Sequence, residues 1–131
     1  MKRRVERLIK LIKDETGLDI FRNTRKREYV EARALFTYML KTYLGYRLRD
    51  IQIIYSQHGY EIHHATLIHA VRNFEPVYVP FNTPLKELYD KAINLFDTKT
   101  DFKIRYIKNK VDQVPEEKLD EVKYLVDLLT I

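Results

Sequence analysis

The chain has 131 residues, 24 Lys and Arg against 19 Asp and Glu, a net charge of +5 and no cysteine. That length suits one domain with its own core, and 45% hydrophobic residues argue against disorder. The absence of cysteine excludes disulfides, thiolate catalysis and Cys-ligated metal, and fits a reducing compartment.

Taken in chain order, the pattern is helical throughout. Val5, Leu8, Ile9 and Ile12 repeat at i, i+3, i+4 and i+7, which is one face of a helix, and Gly17 stands where a C′ glycine ends it. The charged residues Glu6, Lys10, Lys13 and Asp14 break any apolar run there, so the basic N-terminus does not read as a signal peptide. After a short connection, Asn23 or Thr24 is the expected cap of a long helix over about 25–44, with Ala32, Phe36, Met39 or Leu40, and Tyr43 inward. Gly45 stops it.

A short helix over 48–55 follows, with Leu48, Ile51 and Ile54 or Tyr55 inward, and then a turn at Ser56–Glu61 around Gly59. A third helix runs over 63–74 on Leu67, Ala70, Val71 and Phe74. A long helix followed by two short ones around a Gly-containing turn is a helix-turn-helix pattern. Pro76, Pro80 and Pro84 predict an extended or irregular stretch dividing residues 1–75 from 76–131.

Beyond it, Thr83 is the expected cap and Pro84 the first residue of a helix to Phe96, with Leu85, Leu88, Tyr89, Ala92 and Phe96 inward. Residues 99–110 alternate like a strand, but a lone strand has no partner, so a weak helix is expected. Pro115 opens a last helix to Leu129, apolar at Leu119, Val122, Leu125 or Val126, and Leu129. Residues 1–75 hold 15 basic against 9 acidic residues, a net of +6; residues 76–131 hold 9 against 10, a net of −1.

Two clusters bear on function. Arg22, Arg25, Lys26 and Arg27, with Arg33 further on, sit at a loop-to-helix junction, where arginines neutralise phosphates or enter a minor groove. The plainer reading is a solvated first turn. His63-His64-Ala65-Thr66 begins the third helix, the place from which a recognition helix meets base edges; as an isolated tetrapeptide it reads better as a capping sequence. His58, His63, His64 and His69 do not fall at metal-ligand spacing, and the carboxylates lie at helix ends and on exposed faces, so no enzyme is assembled. With Gly17, Gly45 and Gly59 as the only glycines, no phosphate-cradling loop can be written, and no nucleotide is expected.

The stretch TRKREYVEARALFTYMLKTYLGYRLRDI at 24–51, followed by HHATLIHAVRNF at 63–74, resembles the C-terminal DNA-binding domain (domain IV) of the bacterial replication initiator DnaA. Three features carry the likeness: the basic lead-in to a long helix, the short L-x-x-I helix, and HHATLIHA in place of the family's DH[AT]T-[VL]-[LI]-HA signature. The resemblance covers about residues 20–75 and omits the ATPase module. It implies an all-α, Trp-repressor-like helix-turn-helix with extra C-terminal helices, no cofactor, and double-stranded DNA as partner. It implies Arg25 in the minor groove, Arg27, Arg33 and Lys41 on the backbone, and His64, Ala65 and Thr66 on bases and phosphates. His69 supports the helix.

Arg22, Lys26, Arg47, His63 and Arg72 complete the expected interface. Two departures stand out. His63 replaces the family's Asp, an acceptor for cytosine N4. The connection from Ile51 to His63 is also about four residues longer, so His58 or Tyr60 either adds contacts or only lengthens the loop. Residues 84–131 have no counterpart in the family and are expected to pack on the first half or to form a homodimer surface.

The expectation is a cytoplasmic, nucleoid-associated, non-enzymatic DNA-binding protein in replication initiation control or transcriptional regulation, of a phage or mobile-element type. The alternative is an interaction or dimerisation module that has lost DNA binding.

Overall fold

The computed structural model describes residues 2–96 and 100–130. Among the described residues the architecture is all-helical, with no strand. The helices are α1 (Lys2–Thr16), α2 (Arg27–Thr42), α3 (Leu48–Gln57), α4 (His64–Asn73), α5 (Thr83–Phe96), α6 (Thr100–Asp112) and α7 (Leu119–Thr130). The weak helix expected over 99–110 is observed as α6; Lys99 lies outside the described residues.

α2 is the axis of the fold, and α1, α3, α4, α5 and α6 all pack against it. One apolar face was expected, and Ala32, Phe36, Met39, Leu40 and Tyr43 are indeed buried. So are Ala34, Leu35 and Tyr38 on its other sides, with Glu31, Arg33, Thr37 and Thr42. A helix surrounded by others has no solvent side, so its inward set exceeds a single stripe. Helix α1 contributes Val5, Leu8 and Ile12, and ends at Gly17 with φ +74° and an N–H bond to Lys13 O at 2.8 Å. That left-handed conformation suits glycine because it has no Cβ.

Three expectations are corrected. Neither Asn23 nor Thr24 caps α2: the N-cap is Lys26, with no side-chain cap bond. Thr24 Oγ1 instead accepts from Lys26 N at 3.4 Å, two residues too early to serve the helix. The proline stretch is not extended. It continues α4 as a π-helical turn at Phe74–Tyr78 and a 3₁₀ turn at Val79–Phe81. Pro76 lacks an N–H and cannot bond one turn back, so the ladder widens, and Val79 N–H reaches Phe74 O. Lastly, Asn82 rather than Thr83 caps α5. Its Oδ1 accepts from Leu85 N at 3.1 Å, while its amide donates to Glu31 on α2.

The core crosses this stretch. Leu85, Leu88, Tyr89, Ala92 and Phe96 join Leu8, Ile12, Leu35 and Met39 in one apolar cluster. Phe74 has no exposed surface and sits between Tyr38 and Tyr89, with ring centroids 4.9 and 5.1 Å away. Helix α6 is held by polar contacts: Asn109 Nδ2 donates to Thr42 O at 2.9 Å, and Lys110 Nζ lies 3.0 Å from Glu75 Oε1. Helix α7 differs from all the others. It is exposed along its length except for half-buried Val122. No helix among the described residues is long and apolar enough to cross a membrane.

Candidate nucleic-acid interface

Helices α3 and α4 pack on each other and on α2, joined by residues 58–63. Gly59 makes the turn with φ +80°. Of this connection His58, Gly59 and Glu61 are exposed, Tyr60 is half-buried and Ile62 is buried. The His58 ring stacks on Phe21 at 4.1 Å, and its Nδ1 lies 2.9 Å from Ile54 O. The Tyr60 ring lies under the Arg33 guanidinium at 4.3 Å. Ile62 is buried, and its carbonyl accepts from Gln52 Nε2 at 2.9 Å. The turn is therefore braced by contacts within the protein, while His58 stays exposed and Tyr60 half-buried.

Helix α4 begins in the open. His63 is its N-cap in extended conformation (φ −78°, ψ 145°), and its side chain makes no cap bond. The tetrapeptide thus takes the capping positions expected of it, His63 at the N-cap and His64, Ala65 and Thr66 in the first turn, but its side chains cap nothing. The His63 carbonyl accepts from Thr66 N and Leu67 N at 3.0 and 3.2 Å. Leu67 and Ala70 anchor the helix in the core, which leaves His63, His64, Ala65 and Thr66 all exposed. The first-turn amides and the positive end of the helix dipole add to the same surface. His69, one turn on, is exposed too, with its Nδ1 3.1 Å from Asn73 Nδ2.

The basic loop lies opposite this helix end. Arg22, Arg25 and Lys26 are exposed. Arg33, expected on the DNA backbone, is instead buried. Its Nε donates to Ile20 O at 2.6 Å, its Nη1 to Thr24 O at 2.7 Å, and its Nη2 to Arg22 O. A planar fork of fixed donors ties three carbonyls of a loop without secondary structure, of which Arg22 O also accepts from Thr24 N at 2.8 Å. Arg33 thus shapes the loop that carries Arg22 and Arg25. A cavity of about 550 Å³ separates loop and helix, lined by Arg25, Tyr60, His63, Thr66 and His69.

The remaining expected residues lie elsewhere. Arg27 is exposed but its Nε is 2.7 Å from Glu31 Oε1, and it faces Glu15 and Glu28 across a separate cavity. Lys41 and Arg72 meet at the far end of α4, around a cavity of about 880 Å³ shared with Glu75 and Lys110. Arg47 is exposed at the start of α3, with Nε 3.6 Å from Asp50.

Sequence reading did not single out Glu75, which follows α4 and takes Lys110 and three tyrosines. Tyr38 donates to it, as do Tyr89 at 3.4 Å and Tyr106 at 3.5 Å. Burial works to raise the Glu75 carboxyl, but the hydrogen bonds from Tyr38 and Lys110 outweigh it and hold the group below its usual range. Burial first, then the Glu75 carboxylate, pushes the Tyr38 hydroxyl well above the usual phenol range. These tyrosines recur at no interpretable spacing, so only the fold reveals the cluster. Asn23 also lies on the rim of the loop–helix cavity, where its place in the sequence suggests only a cap.

Among the described residues no group of three or more His, Asp or Glu is placed to hold a metal ion. Compared with known proteins, the chain matches no family model, no curated protein and no solved structure.

Proposed function

We propose that this protein is a non-enzymatic, sequence-specific binder of double-stranded DNA, built as a DnaA-domain-IV-like helix-turn-helix with added C-terminal helices. The observation that carries this reading is the exposed, uncapped start of α4 beside a basic loop. His63 and Thr66 share a cavity with Arg25, and a buried arginine fixes that loop. In this reading α4 enters the major groove by its first turn, and His63, His64, Ala65 and Thr66 meet base edges or phosphates. Arg25 enters the adjacent minor groove, Arg22 and Lys26 take phosphates, and Arg33 acts only through the loop. Arg27, already paired with Glu31, contributes less than its place in the motif implies. The biological role is replication initiation control or transcriptional regulation, by analogy with the family resemblance.

The experiment is selection of bound duplexes from a random pool, followed by affinity measurements across salt. The expected result is an enriched motif whose binding falls steeply as salt rises. His63→Asp restores the family's acceptor and is expected to change the selected base at one position. Absence of enrichment would favour the second reading, a protein-interaction module, for which the apolar surface of α7 is the supporting observation.

A further inference from the structure

Two apolar stripes of this chain face solvent and do not cover each other. On α6, Ile104, Ile107 and Val111 recur on the side opposite Tyr106 and Asn109, the residues turned to the body; Ile107 is 59% exposed. On α7, Leu119, Val122, Leu125, Val126 and Leu129 form one stripe; Leu125 is 58% and Leu129 85% exposed. A 12-residue amphipathic helix without a tertiary partner has little stability in water, so this stripe needs a cover.

The charges around the stripes are complementary. On α6 the helical positions that flank the stripe, Lys103 and Lys108, are both basic. Residues 116–130 carry Glu116, Glu117, Asp120, Glu121 and Asp127 against Lys118 and Lys123, a net of −3. Only Gln113, Val114 and Pro115 separate α6 from the 3₁₀ turn that leads into α7. Pro115 is extended (φ −57°, ψ 144°) and directs α7 away from its own α6. Short hinges of this kind favour exchange between chains over closure within one.

We infer that α7 of one copy seats on the α6 stripe of a second copy, and the reverse, forming a reciprocal homodimer. The net acidic α7 segment of each chain lies against the basic flanks of the partner's α6. Each helix is about 18 Å long and about 10 Å wide. Two such contacts bury on the order of 1,000 Å², at the lower edge of a specific interface, so the dimer dissociates on dilution. This inference needs no DNA and stands whether or not the protein binds it.

The natural absence of cysteine permits a direct test on the full chain. Ile107→Cys and Leu125→Cys are made as separate proteins, both at exposed positions. Under mild oxidation the mixture is expected to give a cross-linked dimer at least fivefold in excess of either protein alone. Sedimentation of the unaltered chain is expected to show a monomer–dimer equilibrium, abolished by Leu125→Glu with Leu129→Glu.

Three results would overturn the proposal. Leu125→Cys alone cross-linking as well as the mixture would mean that α7 pairs with α7. A double variant bridging within one chain at every dilution would mean closure in cis. A strictly monomeric unaltered chain at every concentration would mean that any partner is a different protein.

Discussion

The basic loop and the α6–α7 arm both hold charged side chains at the surface, but they are held in opposite ways. The loop lacks regular structure, yet Arg33 fixes it from within by bonds to the carbonyls of Ile20, Arg22 and Thr24. The arm is regular helix, yet its outer half, α7, rests on almost nothing. Rigidity here follows from buried contacts and satisfied backbone groups rather than from secondary structure, as expected when helix stability derives mainly from tertiary packing. The contrast also separates two tasks. A rigid loop can present Arg25 at a set distance from α4, whereas an uncovered helix is suited to take a partner.

The largest effects are expected where the body is densest. Phe74→Ala removes a fully buried ring at the junction of α2, α4 and α5 and should cost about 3–5 kcal/mol in urea unfolding. Arg33→Ala leaves the Ile20 and Thr24 carbonyls without a donor, while Arg22 O keeps Thr24 N, and should cost about 2–3 kcal/mol; Arg33→Lys should rescue little, since an ammonium lacks the planar fork. If Arg33→Ala lowers DNA affinity without lowering stability, its role is direct contact, and the assigned internal role fails.

Arg25→Ala tests the surface that Arg33 supports. Because Arg25 is exposed, stability should stay within about 0.5 kcal/mol, while duplex affinity falls by about 1–3 kcal/mol with a shallower salt dependence. A change in stability equal to the change in affinity would remove the distinction between the two arginines.

Glu75 joins body and arm. Its folded carboxyl lies below its usual range, so its contribution is present above about pH 4.3, the unfolded value, and is lost as pH falls through the folded one. Hydrogen exchange should show α6 loosening in that acid window before α2 does. Glu75→Gln should cost about 1 kcal/mol and remove the acid dependence of α6. The smallest effect is expected on α7. Leu125→Ala, at dilution where the chain is monomeric, should change stability by less than about 0.5 kcal/mol. A larger loss would show that α7 already packs on its own body.

Much of the helical framework was legible from the residues. Val5, Leu8 and Ile12 on α1, Leu67 and Ala70 on α4, and Leu85, Leu88, Tyr89, Ala92 and Phe96 on α5 are buried as their spacing predicts. Periodicity suffices for a helix with one covered side. It fails for α2, which is covered nearly all round, and for 76–81, where the prolines widen the helical ladder instead of ending it. Cap positions also shifted, because several polar residues near a helix start can serve and local sequence does not rank them.

By itself, then, the sequence determined an all-helical chain whose basic excess belongs to residues 1–75, and it marked His63–Thr66 and Arg25 as surface chemistry. Only the tertiary structure decided which charges are available. Arg33 and Arg25 read alike along the chain, yet one is spent inside on loop carbonyls while the other lies open beside α4. Charge is a property of composition, but its availability depends on which donors the fold has already satisfied. Likewise, α5 and α7 show similar apolar stripes, and only packing reveals that one is covered and the other is not.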